Sequence, residues 1–240
     1  APRIDAARQG SARFLDRRRD RAAHPAFASQ NTDARHAVLC PLGLLRGCAA
    51  SAYRSFAPDF QRYGRTMGIK NIVILTGAGI SAESGVATFR GPGGLWEGHR
   101  VEDVCTPQAL ARDPETVHRF YDARRAALGT VEPNAAHHAL ARLDAQWPGE
   151  LLVVTQNVDD LHERAGAKRL LHMHGELRSA LCADCGAQVR WDDSLPPGSP
   201  CERCGGTALR PDIVFFGEIP REMERIEAAL SDCDLFVSIG

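Results

Sequence analysis

The 240 residues are 44% apolar and 25% charged, enough apolar material for one large core or two smaller ones. No apolar run approaches the ~20 residues of a membrane-spanning helix, and the opening lacks the charged, apolar and small-residue regions of a secretory signal. A soluble monomer without a membrane partner is expected, in the cytoplasm or alternatively the mitochondrial matrix. The net charge of −1 conceals an asymmetry: residues 1–70 carry 13 Lys and Arg against five Asp and no Glu, so a basic first part precedes an acidic remainder.

Residues 1–69 are rich in Ala and Arg, cluster Arg17-Arg18-Arg19, and sustain no helix or strand period. They read as a basic, poorly ordered extension. Nucleic acid is not an expected partner, and Asp5, Asp16 and Asp20 weigh against a mitochondrial transit segment. Met67 stands just before the first patterned residues, and translation is expected to start there.

The first strong element is Ile72-Val73-Ile74-Leu75, an apolar run without polar alternation, as in a strand buried on both faces of a parallel sheet. It runs into Gly77-Ala78-Gly79, where missing side chains let an anion approach the backbone amides. Taken alone, Gly77-x-Gly79-x-x-Ala82 fits both a dinucleotide turn and a tight turn that binds nothing. Gly91-Pro92-Gly93-Gly94 begins a loop.

Between Thr106 and Leu128 the apolar positions have helical spacing broken at Asp113-Pro114, which predicts two helices. A further helix opens at Pro133-Asn134, with Ala136, Leu140 and Leu143 inward. Leu151-Leu152-Val153-Val154 predicts a second buried strand with Gln156-Asn157-Val158-Asp159 at its carboxyl end, where ligands bind in open parallel sheets. A third strand is expected over Leu170–Met173, with His174 at its end. Later come a strand over Ile213–Phe216, a helix over Arg221–Leu230 and a last strand over Leu235–Ile239.

Cys182-x-x-Cys185 and Cys201-x-x-Cys204, separated by fifteen residues, have the spacing of a four-thiolate zinc site; reactive redox pairs are the alternative. Four protein ligands leave no open position, so such a zinc is structural.

Thr88-Phe89-Arg90-Gly91, Gln156-Asn157-Val158-Asp159, His174-Gly175 and the paired cysteines, in this order after the glycine turn, resemble the sirtuin family of NAD-dependent protein lysine deacylases over about Lys70–Gly240. The resemblance implies an α/β fold: a Rossmann-like parallel sheet with helices on both faces and a small inserted zinc module at about 177–210. It implies NAD as co-substrate, with Gly77, Ala78, Gly79, Ser81 and Gly240 in its site. Gln156 and Asn157 would meet the ribose, Val158 and Asp159 the carboxamide, Phe89 the reacting ribose face and Arg90 the ribose and phosphates. His174 would be the general base, and Val214, Phe216, Gly217 and Glu218 would line the cleft for an acylated lysine. Phe120-Tyr121-Asp122-Ala123-Arg124 is similar to the Tyr-x-x-Arg pair with which one branch recognises acidic acyl groups, implying activity on succinyl- or malonyl-lysine besides acetyl-lysine.

The family pattern continues past Ser238-Ile239-Gly240 into segments that hold the adenosine half of NAD, so the catalytic domain is expected to be C-terminally incomplete. An inactive zinc-stabilised binding module and a protein ADP-ribosyltransferase are the rival expectations.

Overall fold

The computed structural model describes residues 68–88, 95–96 and 98–240, with only the backbone at 95–96. The basic extension up to Met67, together with Phe89 and Arg90, lies outside the described residues.

The chain enters through β1 (Ile72–Thr76) and a 3-10 helix over Ala78–Ser84, then a short hairpin, β2 (Leu95–Trp96) and β3 (His99–Arg100). Four helices follow: α1 (Val101–Val104), α2 (Pro107–Arg112), α3 (Pro114–Ala127) and α4 (Ala135–Gln146). Next come β4 (Leu151–Thr155), α5 (Leu161–Ala165), β5 (Leu170–His172), β6 (Gly175–Cys182), β7 (Gln188–Arg190), β8 (Leu209–Ile213), α6 (Met223–Ser231) and β9 (Leu235–Ile239). The break at Asp113-Pro114 is where expected: Asp113 ends α2, and its carboxylate caps α3 by accepting the Thr116 N–H at 3.1 Å.

Besides the β2-β3 hairpin, two sheets organise the described residues. The first is fully parallel, in the order β5-β4-β1-β9. One face, with Ile72, Ile74, Leu151 and Val153, packs on Leu140 of α4 and on Trp147; the other, with Val73, Leu152, Val154 and Leu171, packs on Ile226 of α6. Helices therefore cover both faces of β1 and β4, which is why Ile72–Leu75 and Leu151–Val154 are apolar without a break. β9 forms one edge, where Phe236 is 49% exposed. The second sheet is antiparallel, in the order β7-β6-β8, and carries the cysteines.

A strand boundary and the inward face of a helix differ most from expectation. The strand expected at Ile213–Phe216 is Leu209–Ile213. Pro211 obscured it, yet β8 is an outer strand, where a missing N–H is tolerated. After Ile213 the backbone turns to other partners: the Val214 N–H donates to the His174 carbonyl at 2.9 Å and the Phe216 N–H to the Cys105 carbonyl at 3.0 Å. In α4 the inward residue of the first turn is His137, fully buried, while Ala136 is exposed. His137 is turned inward by a reciprocal cap in which its own Nδ1 accepts the Asn134 N–H.

β6 leaves directly from His174 through Gly175, which has φ +86°, and a Cβ there would lie 2.0 Å from the Asp212 carbonyl oxygen. Conformation and space both require glycine, so the link between the two sheets is fixed at this residue. Gly175→Ala is expected to cost about 2–4 kcal/mol of stability. A urea midpoint equal to that of the parent protein would contradict this account.

Candidate functional site

The carboxyl ends of β1 and β4 stand side by side. Thr76 and Thr155 are register partners whose hydroxyls lie 2.8 Å apart, and His162 Nε2 is 3.0 Å from the Thr76 hydroxyl. All three residues are fully buried, and burial, followed by the neighbouring His137, holds His162 down at about 4, so its ring is neutral near pH 7. Beyond Thr76 the chain turns at Gly77, whose N–H donates to the Ile239 carbonyl at 3.0 Å. A Cβ on Gly79 would lie 2.8 Å from the carbonyl carbon of Gly240, so glycine here lets β9's end close against the turn.

Ser81, fully buried, is the centre of the site. Its hydroxyl donates to Asp159 Oδ2 at 2.9 Å and accepts from Asn157 Nδ2 at 3.0 Å. His137 Nε2 lies 3.4 Å from the same oxygen. Because His137 Nδ1 accepts the Asn134 N–H, the ring's proton sits on Nε2 and points at Ser81. One hydroxyl thus orients both Asn157 and Asp159. The sequence reading missed His137; the spacing Asn134-x-x-His137 at a helix start was the available signal.

Asp159 is 4% exposed, and its other oxygen accepts the Leu161 N–H at 3.2 Å. Burial pushes its carboxyl up, while the bonds from Leu161 and Ser81 oppose that shift. Gln156 is exposed, and its carbonyl accepts from His174 Nδ1 at 3.1 Å. With its proton committed to that carbonyl, His174 keeps a lone pair on Nε2. Burial depresses the His174 pKa, partly offset by the Gln156 carbonyl, so the base form persists to lower pH than in a free histidine. Val158, between the two polar side chains, is half-buried against the cluster formed by α1–α3 and β6.

Tyr121 belongs to that same cluster and is fully buried. Its ring stacks on Phe215 with centroids 6.0 Å apart, and burial, followed by the neighbouring Cys105, pushes the pKa of its hydroxyl up. Arg124 is 8% exposed, its guanidinium 5.7 Å from the centre of the Phe120 ring. The pair is thus side by side and inside, where a half-buried phenol and a solvated cation would be ordinary on a helix surface.

Val214 is bonded to the His174 carbonyl, and Phe216 is exposed beyond it, while Phe215 between them points inward. Gly217, with φ +92°, closes the turn. The Glu218 carboxylate is engaged inside that turn, accepting the Phe215 N–H at 2.8 Å and pairing with Arg210 at 2.9 Å.

The four cysteine sulfurs of the second sheet lie within 4.8 Å of one another, with Cys182–Cys204 at 3.7 Å and Cys185–Cys201 at 3.8 Å. Ligand bonds of ~2.3 Å in a tetrahedron give edges of ~3.8 Å, so the cluster fits a four-thiolate zinc. Two matching turns present them: the Gly186 N–H donates to the Cys182 carbonyl and the Gly205 N–H to the Cys201 carbonyl, with φ of +68° and +74° at the glycines.

Comparison with known proteins agrees with this arrangement. The Sir2 family model matches residues 77–240. An NAD-dependent protein deacylase of Bdellovibrio bacteriovorus is 56% identical over 174 residues, covering 71% of this chain and 74% of the relative. Its counterpart in Pasteurella multocida is 55% identical over 172 residues, covering 70% and 74%. A crystal structure of a Sir2 homologue in complex with NAD is 39% identical, with a TM-score of 0.66 over 76% of this chain and 72% of that one. With a family match across two thirds of its length and relatives more than half identical, this chain belongs to the Sir2 family.

Proposed function

We propose that this protein is an NAD-dependent protein lysine deacylase acting on acetyl-lysine and on the acidic succinyl- and malonyl-lysine. The observation that carries the reading is the Ser81-centred cluster, which holds Asn157 and Asp159 beside a neutral His174 at adjoining strand ends.

NAD supplies an electrophilic ribose carbon and nicotinamide as its leaving group. Asp159, oriented by Ser81 and the Leu161 N–H, accepts the carboxamide hydrogens, and its shielding from water strengthens that contact. Asn157 and Gln156 face the ribose. His174 Nε2 takes a proton from a ribose hydroxyl, and the Gln156 carbonyl fixes the ring in the tautomer this step needs. Gly77, Ala78 and Gly79 offer a side-chain-poor turn for the phosphates. The acylated lysine reaches His174 along Val214–Glu218, whose first N–H is bonded to the His174 carbonyl.

Preference for acidic acyl groups rests on Tyr121 and Arg124. The cluster that encloses Tyr121 also packs on Val158, so the apolar region around the pair is continuous with the residue between Asn157 and Asp159. A guanidinium in apolar surroundings selects for a carboxylate at the acyl terminus. The cysteine cluster would hold one structural zinc and take no part in the reaction.

With NAD and an acyl-lysine peptide, the protein is expected to release nicotinamide, and His174→Ala to lower that rate at least ~100-fold. Release without acyl-peptide, with label left on protein, would indicate ADP-ribosyl transfer; no release would indicate a binding module. Arg124→Met is expected to lower desuccinylation at least ~10-fold while sparing deacetylation. Equal loss of both activities would remove the acyl assignment. Elemental analysis should give one zinc per chain, and chelation should lower the melting temperature, because the metal's binding energy is folding energy. Zinc-free protein that melts unchanged would refute the metal site.

A further inference from the structure

His172, two residues before the base, is not used by the reaction as described. Its Nδ1 is 2.9 Å from the Asn157 carbonyl oxygen and its Nε2 is 2.7 Å from Glu163 Oε1. A carbonyl and a carboxylate only accept, so both bonds form together only if both ring nitrogens carry protons. Resting on the deacylase reading, we propose that His172 is a positioning residue: as an imidazolium clamped between Asn157 and Glu163 it holds the Gln156–Asp160 loop in its NAD-binding shape, and loss of its second proton releases the clamp.

The clamp ties two parts of one loop. Asn157 is the residue whose side chain meets Ser81, and Glu163 lies on α5, whose first N–H is bonded by Asp159. The cation therefore joins the backbone beneath Asn157 to the helix that follows Asp159. The His172 side chain is only 9% exposed, so water does not readily replace a lost partner.

The surrounding charges favour the cation. Glu163 faces it from α5 at 2.7 Å and Glu176 from β6 at 4.0 Å. Asp159, buried nearby, is itself stabilised by His172's charge. His162 on α5 is held down at about 4 and adds no competing positive charge near neutrality. His174, next along the chain, is likewise depressed. Burial opposes charging of His172, but the hydrogen bond and charge of Glu163, the Asn157 carbonyl and Glu176 outweigh it, and the net direction is up. Glu163 moves the opposite way: burial raises it, and the bond and charge of His172 more than reverse that. Cation and carboxylate are thus the mutually consistent pair.

A histidine whose folded pKa is raised keeps its proton to higher pH than a free histidine and loses it as pH rises further, so the clamp is present on the acid side and fails on the alkaline side. One nitrogen then faces an acceptor with a lone pair, and the loop is freed.

Nitrogen-15 NMR of uniformly labelled protein decides the protonation state without requiring turnover. At pH 7 His172 should carry protons on both nitrogens and His174 only on Nδ1, and the backbone amides of Asn157 and Asp159 should titrate with His172 as pH is raised. Glu163→Gln keeps an acceptor oxygen but removes the charge, and should move that titration, and the alkaline fall of kcat/KM for NAD, to lower pH by roughly one unit. His172→Gln should lower kcat/KM for NAD about tenfold and abolish that alkaline limb. A singly protonated His172 at pH 7, amides that ignore its titration, or an alkaline limb unmoved by Glu163→Gln would each overturn the proposal. Protein that releases no nicotinamide but shows the NMR titration would sink the deacylase reading and leave the clamp standing.

Discussion

The parallel register between β1 and β4 is the constraint on which the site depends. Pairing runs from Ile72 with Leu151 to Thr76 with Thr155, so both strands end at the same level and the glycine turn opens beside the Gln156 loop. A slip by one residue would bring Leu75 to face Thr155 and would part the two hydroxyls that join the strand ends. It would also carry Ser81 away from Asn157 and Asp159. The site is a by-product of how two apolar strands choose to pair, and the pairing is held by core on both faces.

Burial at those strand ends then dictates the chemistry. Water is excluded from Thr76, Ser81, Asn157, Asp159, His137 and His162, so their hydrogen bonds run mainly to one another or to the backbone. The result is a division of charge states. His137 and His162, their ring centres 4.9 Å apart, are both driven neutral by burial, since two cations so placed would repel in a medium that screens poorly. His172, with two carboxylates in reach, is driven the other way. His174 lies between these extremes: buried enough to be unprotonated and bonded through one nitrogen only. Four histidines of one chain thus take up distinct roles through partners rather than through any intrinsic difference.

Much of this was legible from residue patterns, and the failures have physical reasons. Continuous apolar runs marked β1 and β4 because strands covered on both faces admit little polarity, and β9 was marked by the same pattern although it lies at the edge and stays largely exposed. Paired cysteines marked the second sheet because four soft ligands at that spacing have few other uses. β8 stayed hidden because Pro211 is a poor strand residue wherever both edges are paired, and the sequence does not say which strands are outer. His137 was passed over for Ala136 because neighbours on a helical wheel differ by only 100° and the polar one was assumed to face water. The inward face is chosen by what waits there, and what waits there is Ser81, some fifty residues away in sequence. Likewise no local pattern reveals that His172 meets two acceptors, since one belongs to a loop fifteen residues earlier.

The second sheet is more than an appendage. β6 starts one residue after His174, and its Leu177 N–H donates to the Val158 carbonyl at 2.8 Å, so the cysteine-bearing sheet is bonded to the middle of the Gln156–Asp160 loop. On its far side Arg125 of α3 donates to the Leu177 carbonyl at 2.6 Å and to Asp122, whose carboxylate also receives the Leu195 N–H. Val158 is thereby held through its carbonyl by β6, while the adjoining Asn157 carbonyl is held by His172 and the Gln156 carbonyl by His174. Three successive peptide carbonyls are taken by three different donors, all borne on the continuous segment His172–Leu177. With the backbone fixed in this way, the loop's shape does not depend on the Asn157 side chain, which is instead held by Ser81. It also means that a disturbance of the cysteine cluster has a short covalent and hydrogen-bonded path to His174, through β6 and the glycine at its start.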